Sequence, residues 1–387
     1  MPYRLIKNSL VKRGITIVLL SFVLYLLMVL ANHPHAVERY YSQGFYPMVC
    51  KVLHPVFNLL PFSMGDLLYI TVITYLLYAV FKLIKLLFKK RFKQAAISFL
   101  GLVIGVQVGM LLFYVFWGMN YFRPGAAERL NLTDSAFTSA DLQAVTRILI
   151  DSANTSRSRL TVVDKKQSND MIYKAAISAV TKLSDSSVNF KTYSPDIKPS
   201  LLTPLMNYLG TSGYYNPFTT EAQMNYQMPV FNRPFVACHE MSHQMGYGAE
   251  DEANFVGYLA AISSKNKLLR YSGYYLAVGE FMHTMRQLDT VNHKQLKLLI
   301  SPEVKKDFKA ERLYWLSYQN QINVISSIFY DNFLKANNQP EGLDTYNRMV
   351  SLVMAMYRKN GALTGVDRNK KSVPYLTPER PATSSLK

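Results

Sequence analysis

The sequence predicts a mainly α-helical membrane protein, with an N-terminal bundle of three transmembrane helices and then a mostly helical extracytoplasmic domain containing a small β element. Three observations predict it. Uncharged apolar runs recur three times in the first 117 residues, and basic residues flank them. The rest reads largely at helical spacing, with one interruption rich in proline and glycine.

The chain has 387 residues, of which 49% are hydrophobic and 13% aromatic, enough for a packed core and incompatible with a disordered chain. Its net charge of +18 suggests nucleic acid at first sight. Residues 1–117, however, hold 12 Lys/Arg against 2 Asp/Glu, while residues 118–387 hold 31 against 23. The excess is concentrated in the apolar third, as membrane topology requires, and no nucleic-acid module accompanies it. Two cysteines, Cys50 and Cys238, make no disulfide framework, and Cys238 is expected as a reduced, packed thiol.

The first predicted span, 14–31, is 18 residues without a charge, close to the length that crosses about 30 Å of hydrocarbon. No small-residue cleavage site follows, which argues against a signal peptide. The second, 64–85, starts at a capping-box-like Ser63 and Asp66 and ends on Lys82 and Lys85, whose stems reach the interface. The third, 95–117, carries Gly101, Gly105 and Gly109 every four residues, a face through which another helix can approach. Arg4, Lys7, Lys12 and Arg13 precede the first span, and Lys82 to Lys93 separate the second from the third. The positive-inside rule therefore places the N-terminus in the cytoplasm and everything after residue 118 on the extracytoplasmic side of the membrane. Segment 40–62, broken by Pro47, Pro55 and Pro61, is expected along the outer interface.

Residues 118–365 form the predicted domain, and 366–387 a disordered tail. Ser139 is expected to cap a helix burying Leu142, Val145 and Leu149, and Tyr173, Ile177 and Val180 mark another apolar stripe. Residues 193–235, punctuated by prolines and glycines, suit loops and one or two short strands, including a possible edge for an extended peptide. Helices resume near Phe235 and continue to about Arg358.

The chemistry concentrates in "HEMSHQMGYGAEDEAN", residues 239–254. His239 and His243 stand at i and i+4 and share one helix face, so both imidazoles can reach one zinc ion, with Glu240 beside them as general base. Zinc in a catalytic site takes three protein ligands and keeps a position for water. Gly246 and Gly248 can end the first helix and turn the chain back. If a second helix begins near Ala249, Glu250 shares a face with Asn254, Gly257 and Ala261, which favours Glu250 over Glu252 as third ligand without excluding Glu252. Asn254 is expected to hydrogen-bond a ligand, and Asp251 to be a solvated first-turn acid. Arg270, Tyr271, Tyr274, Tyr275 and His283 are candidate donors to an oxyanion.

With "WGMNYFRPGAAERL", "GYYNPFTTEAQMN", "HEMSHQMGYGAEDEANFVGYLA", "RYSGYY" and "YDNFLKANNQPEGLDTYNRMV" in this order after three spans, the chain resembles a domain-of-unknown-function family of bacterial membrane proteins grouped with the zincin-like metallopeptidases. It is also similar to gluzincins, whose third ligand is a glutamate on a second helix. That resemblance implies a zincin-like domain binding one Zn2+ per chain through His239, His243 and Glu250, with Asn254 in place of the usual aspartate. The gap of six residues between His243 and Glu250 is shorter than in the common pattern, and Ala249 occupies the third-histidine position of a metzincin.

The expected function is a membrane-anchored zinc metallopeptidase acting on a peptide or protein substrate, with Glu240 moving a proton between water and leaving amine. The alternatives are a non-catalytic membrane protein keeping the fold for partner binding or sensing, and a zinc amidase acting on lipid or cell-wall amides.

Overall fold

The computed structural model describes residues 3–132, 136–340 and 347–361. Three of its helices are long and apolar enough to cross a membrane. The first, α1 (Tyr3–Ala31), holds its candidate span in Asn8–Ala31, uncharged from Gly14 onward. The chain then turns through the short α2 (Pro34–Ala36) and a π-helical segment, Val37–Phe45, into α3 (Tyr46–Asn58). The other two long helices are α4 (Met64–Phe88) and α5 (Phe92–Phe116). All three leave most of their apolar side chains uncovered by protein. Such surface needs an apolar solvent, and helices satisfy their backbone groups internally, so the chain is a membrane protein.

Two expectations for this region change. Pro47 and Pro55 do not break the segment after the first span. Pro47 sits in the first turn of α3, directly after the π-helical segment, and Pro55 is carried inside the helix. Within one chain, the glycine face of α5 meets another element only at its first member. Gly101 lies against the Arg13 guanidinium, while Gly105 and Gly109 have no neighbour within 4 Å. Polar contacts join α1 and α5 instead: Arg13 Nη1 donates to the Ile97 carbonyl at 3.0 Å, and Gln107 Nε2 to Ser21 Oγ at 2.8 Å.

A 3-10 turn, Gly118–Phe122, and α6 (Ala126–Arg129) lead to α7 (Ser139–Ser158) and α8 (Asn169–Ser186). The cap of α7 is Thr138 rather than Ser139. Its hydroxyl accepts from Asp141 N while the Asp141 carboxylate accepts from Thr138 N, a reciprocal box that Ser139 cannot form from inside the helix. Leu142, Val145 and Leu149 are buried as predicted, as are Tyr173 and Val180.

The interruption holds three strands rather than one or two: β1 (Ile197–Pro199), β2 (Gly213–Asn216) and β3 (Glu221–Met224), with α9 (Thr203–Leu209) between the first two. β3 is central, parallel to β1 and antiparallel to β2. β1 is only three residues long and bounded by prolines, so it has too little alternation to read as a strand. Seven helices follow: α10 (Arg233–Gln244), α11 (Glu250–Ile262), α12 (Lys267–Leu288), α13 (Thr290–Leu299), α14 (Pro302–Ser317), α15 (Gln321–Ala336) and α16 (Asn347–Lys359). α10, α11 and α12 pack with α7, α8 and α16 around a core that includes Leu149, Met241, Phe255, Val256, Phe281 and Val353. A second, aromatic core of Tyr46, Trp117, Met119, Tyr121 and Tyr215 joins the spans to this domain. The predicted tail, 366–387, lies outside the described residues.

The sheet is fastened to α4 through two buried carboxylates, Asp66, which accepts from the Tyr214 hydroxyl of β2, and Glu221. Glu221 accepts from Met64 N and Gly65 N at the helix start, where the dipole favours an anion, and from Lys198 Nζ at 2.7 Å. Lys198 also donates to the Phe57 carbonyl at 2.6 Å. Lys198→Met is expected to strand the Glu221 carboxylate and cost about 3–5 kcal/mol, read as a lowered thermal midpoint in detergent with the native secondary structure retained at low temperature.

Candidate metal centre

His239 and His243 lie on one face of α10, as their spacing predicts, with ring centroids 4.9 Å apart. The helix ends as the glycine predicts. Gly246 adopts φ +81°, its N–H donates to the His243 carbonyl at 2.9 Å, and Tyr247 N reaches the Ser242 carbonyl at 3.3 Å. This pair is the Schellman closure, which an L side chain at position 246 would strain. Ala249 then caps α11, whose first residue is Glu250.

The two helices cross where Gly257, two turns along from Glu250, lies against the His239 backbone. A Cβ there would stand 3.0 Å from its N and 3.1 Å from its Cα. This close approach brings Glu250 back onto both imidazoles: Oε2 is 3.2 Å from His239 Nε2 and Oε1 is 3.7 Å from His243 Nε2. Nδ1 of His243 is 2.6 Å from the Tyr247 carbonyl, which can only accept, so the proton is on Nδ1 and the Nε2 lone pair points into the centre. The same turn thus sets both the helix end and the tautomer.

Glu240 occupies a different wall. Its carboxylate lies over β2 at Gly213, where a Cβ would come within 2.4 Å of Oε1. Only glycine at that position of the edge strand leaves room for it. Ligand atoms of His239, Glu240 and His243 all lie within 4.8 Å of one another.

Burial and mutual charge set the protonation of this group. Burial raises the Glu240 pKa to about 8 against the pull of His239. Burial also acts to raise Glu250, but His243, His239 and the Tyr330 hydroxyl outweigh it and bring it down to about 2. His243 is lowered to about 4, chiefly by burial. His239 is raised: burial acts downward, and contact with Glu250, with Glu240 and Asn254 nearby, more than offsets it.

Asn254 stands beside the His239 ring and acts with Glu250 and Glu240 to favour its charged form, while Nδ1 of His239 meets no partner at full hydrogen-bond geometry among the described residues. The donor to Glu250 is Tyr330 on α15, whose hydroxyl reaches Oε1 at 2.5 Å. Glu252 is committed elsewhere: it accepts from Ala126 N at 2.6 Å and pairs with Arg129 at 2.8 Å. Asp251, expected in solvent, is buried on α11 where that helix packs against α16, and burial together with the neighbouring Glu252 charge raises its pKa to about 8 against the pull of Arg348. Tyr271 donates to Asp307 and Tyr275 to Glu311, while His283 is exposed beside Arg286 and Gln287. Arg270 donates to the Ser264 carbonyl. A cavity of about 250 Å³ opens at His239 and Asn254 and is walled by Phe235, Tyr275, Leu276 and Trp315.

Three groups central to this arrangement, Trp117, Gly213 and Tyr330, open stretches that carry the family resemblance, yet no spacing in those stretches assigns them a role at the site. Tyr330 is 80 residues from Glu250, and Trp117 reads in sequence as an interfacial aromatic. Gly213 alone left a signal, since a glycine inside a strand marks close approach by another group.

A family model described as Protein of unknown function (DUF3810) matches residues 41–354. The chain belongs to this family. The DUF3810 match takes in α4, α5, the sheet and both site helices. No curated protein and no solved structure matches the chain.

Gly257→Ala is expected to force α10 and α11 apart and to cost about 1–3 kcal/mol as an overpacking change, measured as a fall in unfolding midpoint relative to the parent chain.

Proposed function

We propose that this DUF3810 protein is a zinc metallopeptidase of zincin type, anchored in the cytoplasmic membrane of a bacterium with its domain on the outer, periplasmic side. The observation that carries the proposal is the convergence of His239 Nε2, His243 Nε2 and Glu250 on one point beside Glu240. Tetrahedral ligands at zinc's usual distances stand about 3.3 Å apart; Glu250 turns one oxygen to each imidazole, Oε2 at 3.2 Å from His239 and Oε1 at 3.7 Å from His243. The donor set fits chemically as well: the His243 tautomer offers its Nε2 lone pair, and Glu250 is held ionised. His239, His243 and Glu250 would hold one Zn2+ per chain.

When bound, zinc supplies Lewis-acid polarisation of a carbonyl and of a water. The residues do the rest. Glu240, buried and basic enough to hold a proton near neutrality, accepts one from the attacking water and returns it to the leaving amine. The position of β2 at the edge of the sheet, with Gly213 beside Glu240, supports extended peptide as the substrate, because an edge strand offers backbone donors and acceptors in register. Tyr330 keeps Glu250 oriented, and Asn254 lines the way in at His239. The outward orientation is supported by the basic residues 4–13 and 82–93, all at the end of the spans away from the domain.

Metal content and turnover divide the roles. His239→Ala and Glu250→Gln are expected to lose zinc, Glu252→Gln to keep it, and Glu240→Gln to keep zinc while losing about 10²–10⁴ in rate. The rate is read against an N-terminal peptide inventory of cells carrying each variant. Unchanged zinc in His239→Ala would overturn the centre, and an unchanged peptide inventory in Glu240→Gln would turn the proposal toward a binding role. For topology, an alkaline phosphatase reporter fused after residue 361 is expected to be active, and one fused at Lys89 inactive.

A further inference from the structure

We infer that α9 and α15 form an in-plane membrane surface, embedded at the boundary between lipid headgroups and acyl chains beside the ends of α4 and α5. The inference stands on exposure and placement, and is independent of the metal.

α15 begins with "QINVISSIFY", ten residues without a charge, whereas its neighbour α14 carries seven charged residues in 16. The two charged residues of α15, Asp331 and Lys335, lie in its last turns and pair at 2.7 Å. Along the outer face, Ile322, Ile325 and Phe329 follow at i, i+3 and i+7, with Ile328 alongside. They are exposed by 49%, 66%, 74% and 58% respectively. On α9 and the residues before it, Leu201, Leu205 and Tyr208 are also exposed. The two helices are joined where Asn323 Nδ2 donates to the Tyr208 carbonyl at 2.7 Å. A continuous apolar patch of this kind marks an interaction site.

The occupant follows from where the patch is anchored. At one end, Phe333 of α15 packs on Phe113 of α5, and Tyr114 of α5 donates to Asn337 just beyond α15. At the other, Leu201 N donates to Asp66 in the first turn of α4 at 2.7 Å. Both anchors are terminal turns of membrane-spanning helices, on the side where the domain emerges. The patch is therefore continuous with the lipid-facing surface of the spans. An amphipathic helix with this apolar face lies about 5–10 Å into the interface. Tyr208 and Tyr318, packed edge to face, add the aromatic character common at that depth. The inner face of the same α15 carries Tyr330 onto Glu250, so lipid contact and candidate centre share one helix.

Single variants Ile325→Cys, Phe329→Cys and, as control, Leu298→Cys on α13, which is 78% exposed, test this in the full chain. Cys50 and Cys238 are buried, and the parent chain checks that they stay unlabelled. Each variant is labelled with bimane in phosphatidylcholine/phosphatidylglycerol nanodiscs and titrated with doxyl-labelled lipid and with iodide. The labels at 325 and 329 are expected to lose most of their emission to the lipid quencher and little to iodide, and the control the reverse. Iodide quenching at 325 and 329 equal to the control would overturn the inference. Protection from both quenchers would overturn it too, because the face would then be covered by protein.

Discussion

The structure depends on how the helix bearing His239 and His243 is held at its C-terminal end. A helix ends with carbonyls that have no helical partner. Here the His243 carbonyl accepts from Trp117 Nε1, the Gln244 carbonyl from the Tyr46 hydroxyl, and the Gly246 carbonyl from Arg123 Nη1, each at 2.9 Å. All three donors come from segments bordering the spans. Arg123 is itself fixed by the Glu38 carboxylate at 2.6 and 2.8 Å. A single buried hydrogen bond contributes only about 1 kcal/mol, but leaving a buried carbonyl unpaired costs more. α10 therefore cannot rotate or slide without stranding several groups at once, and the Gly257 crossing transmits its position to Glu250.

What was legible in the sequence is what neighbouring residues decide. The i, i+4 histidines, the glycine stop, the restart at Ala249 and the face of Glu250 lie within 12 residues, so helical periodicity was enough to relate them. The three spans were legible for the same reason, since length and apolarity are local properties. Groups placed by tertiary packing were not. Tyr330 reaches Glu250, and Trp117 reaches His243, only because separate elements converge. Asp251 has the composition of a solvated acid, yet it is buried where α11 packs against α16. Tyr271 and Tyr275 looked free in "RYSGYY" until Asp307 and Glu311, one turn apart on α14, claimed their hydroxyls. Of the glycine stripe of α5, only Gly101 meets another element of the same chain, the Arg13 guanidinium.

Two glycines show how narrowly the centre is built. Gly257 permits the helix crossing, and Gly213 makes room for Glu240 over the sheet edge. They act on opposite walls. Neither makes a polar contact of its own with the centre, yet each fixes where a carboxylate can be, one facing the imidazoles and one facing the strand.

Trp117 is both the residue that terminates the third span and the donor to the His243 carbonyl. No linker separates the two roles. A domain on a tether samples many heights above a bilayer and can reach targets far from it. This one has no such slack, because the indole that closes the third long helix, with Tyr46 and Arg123 beside it, grips the end of α10 directly.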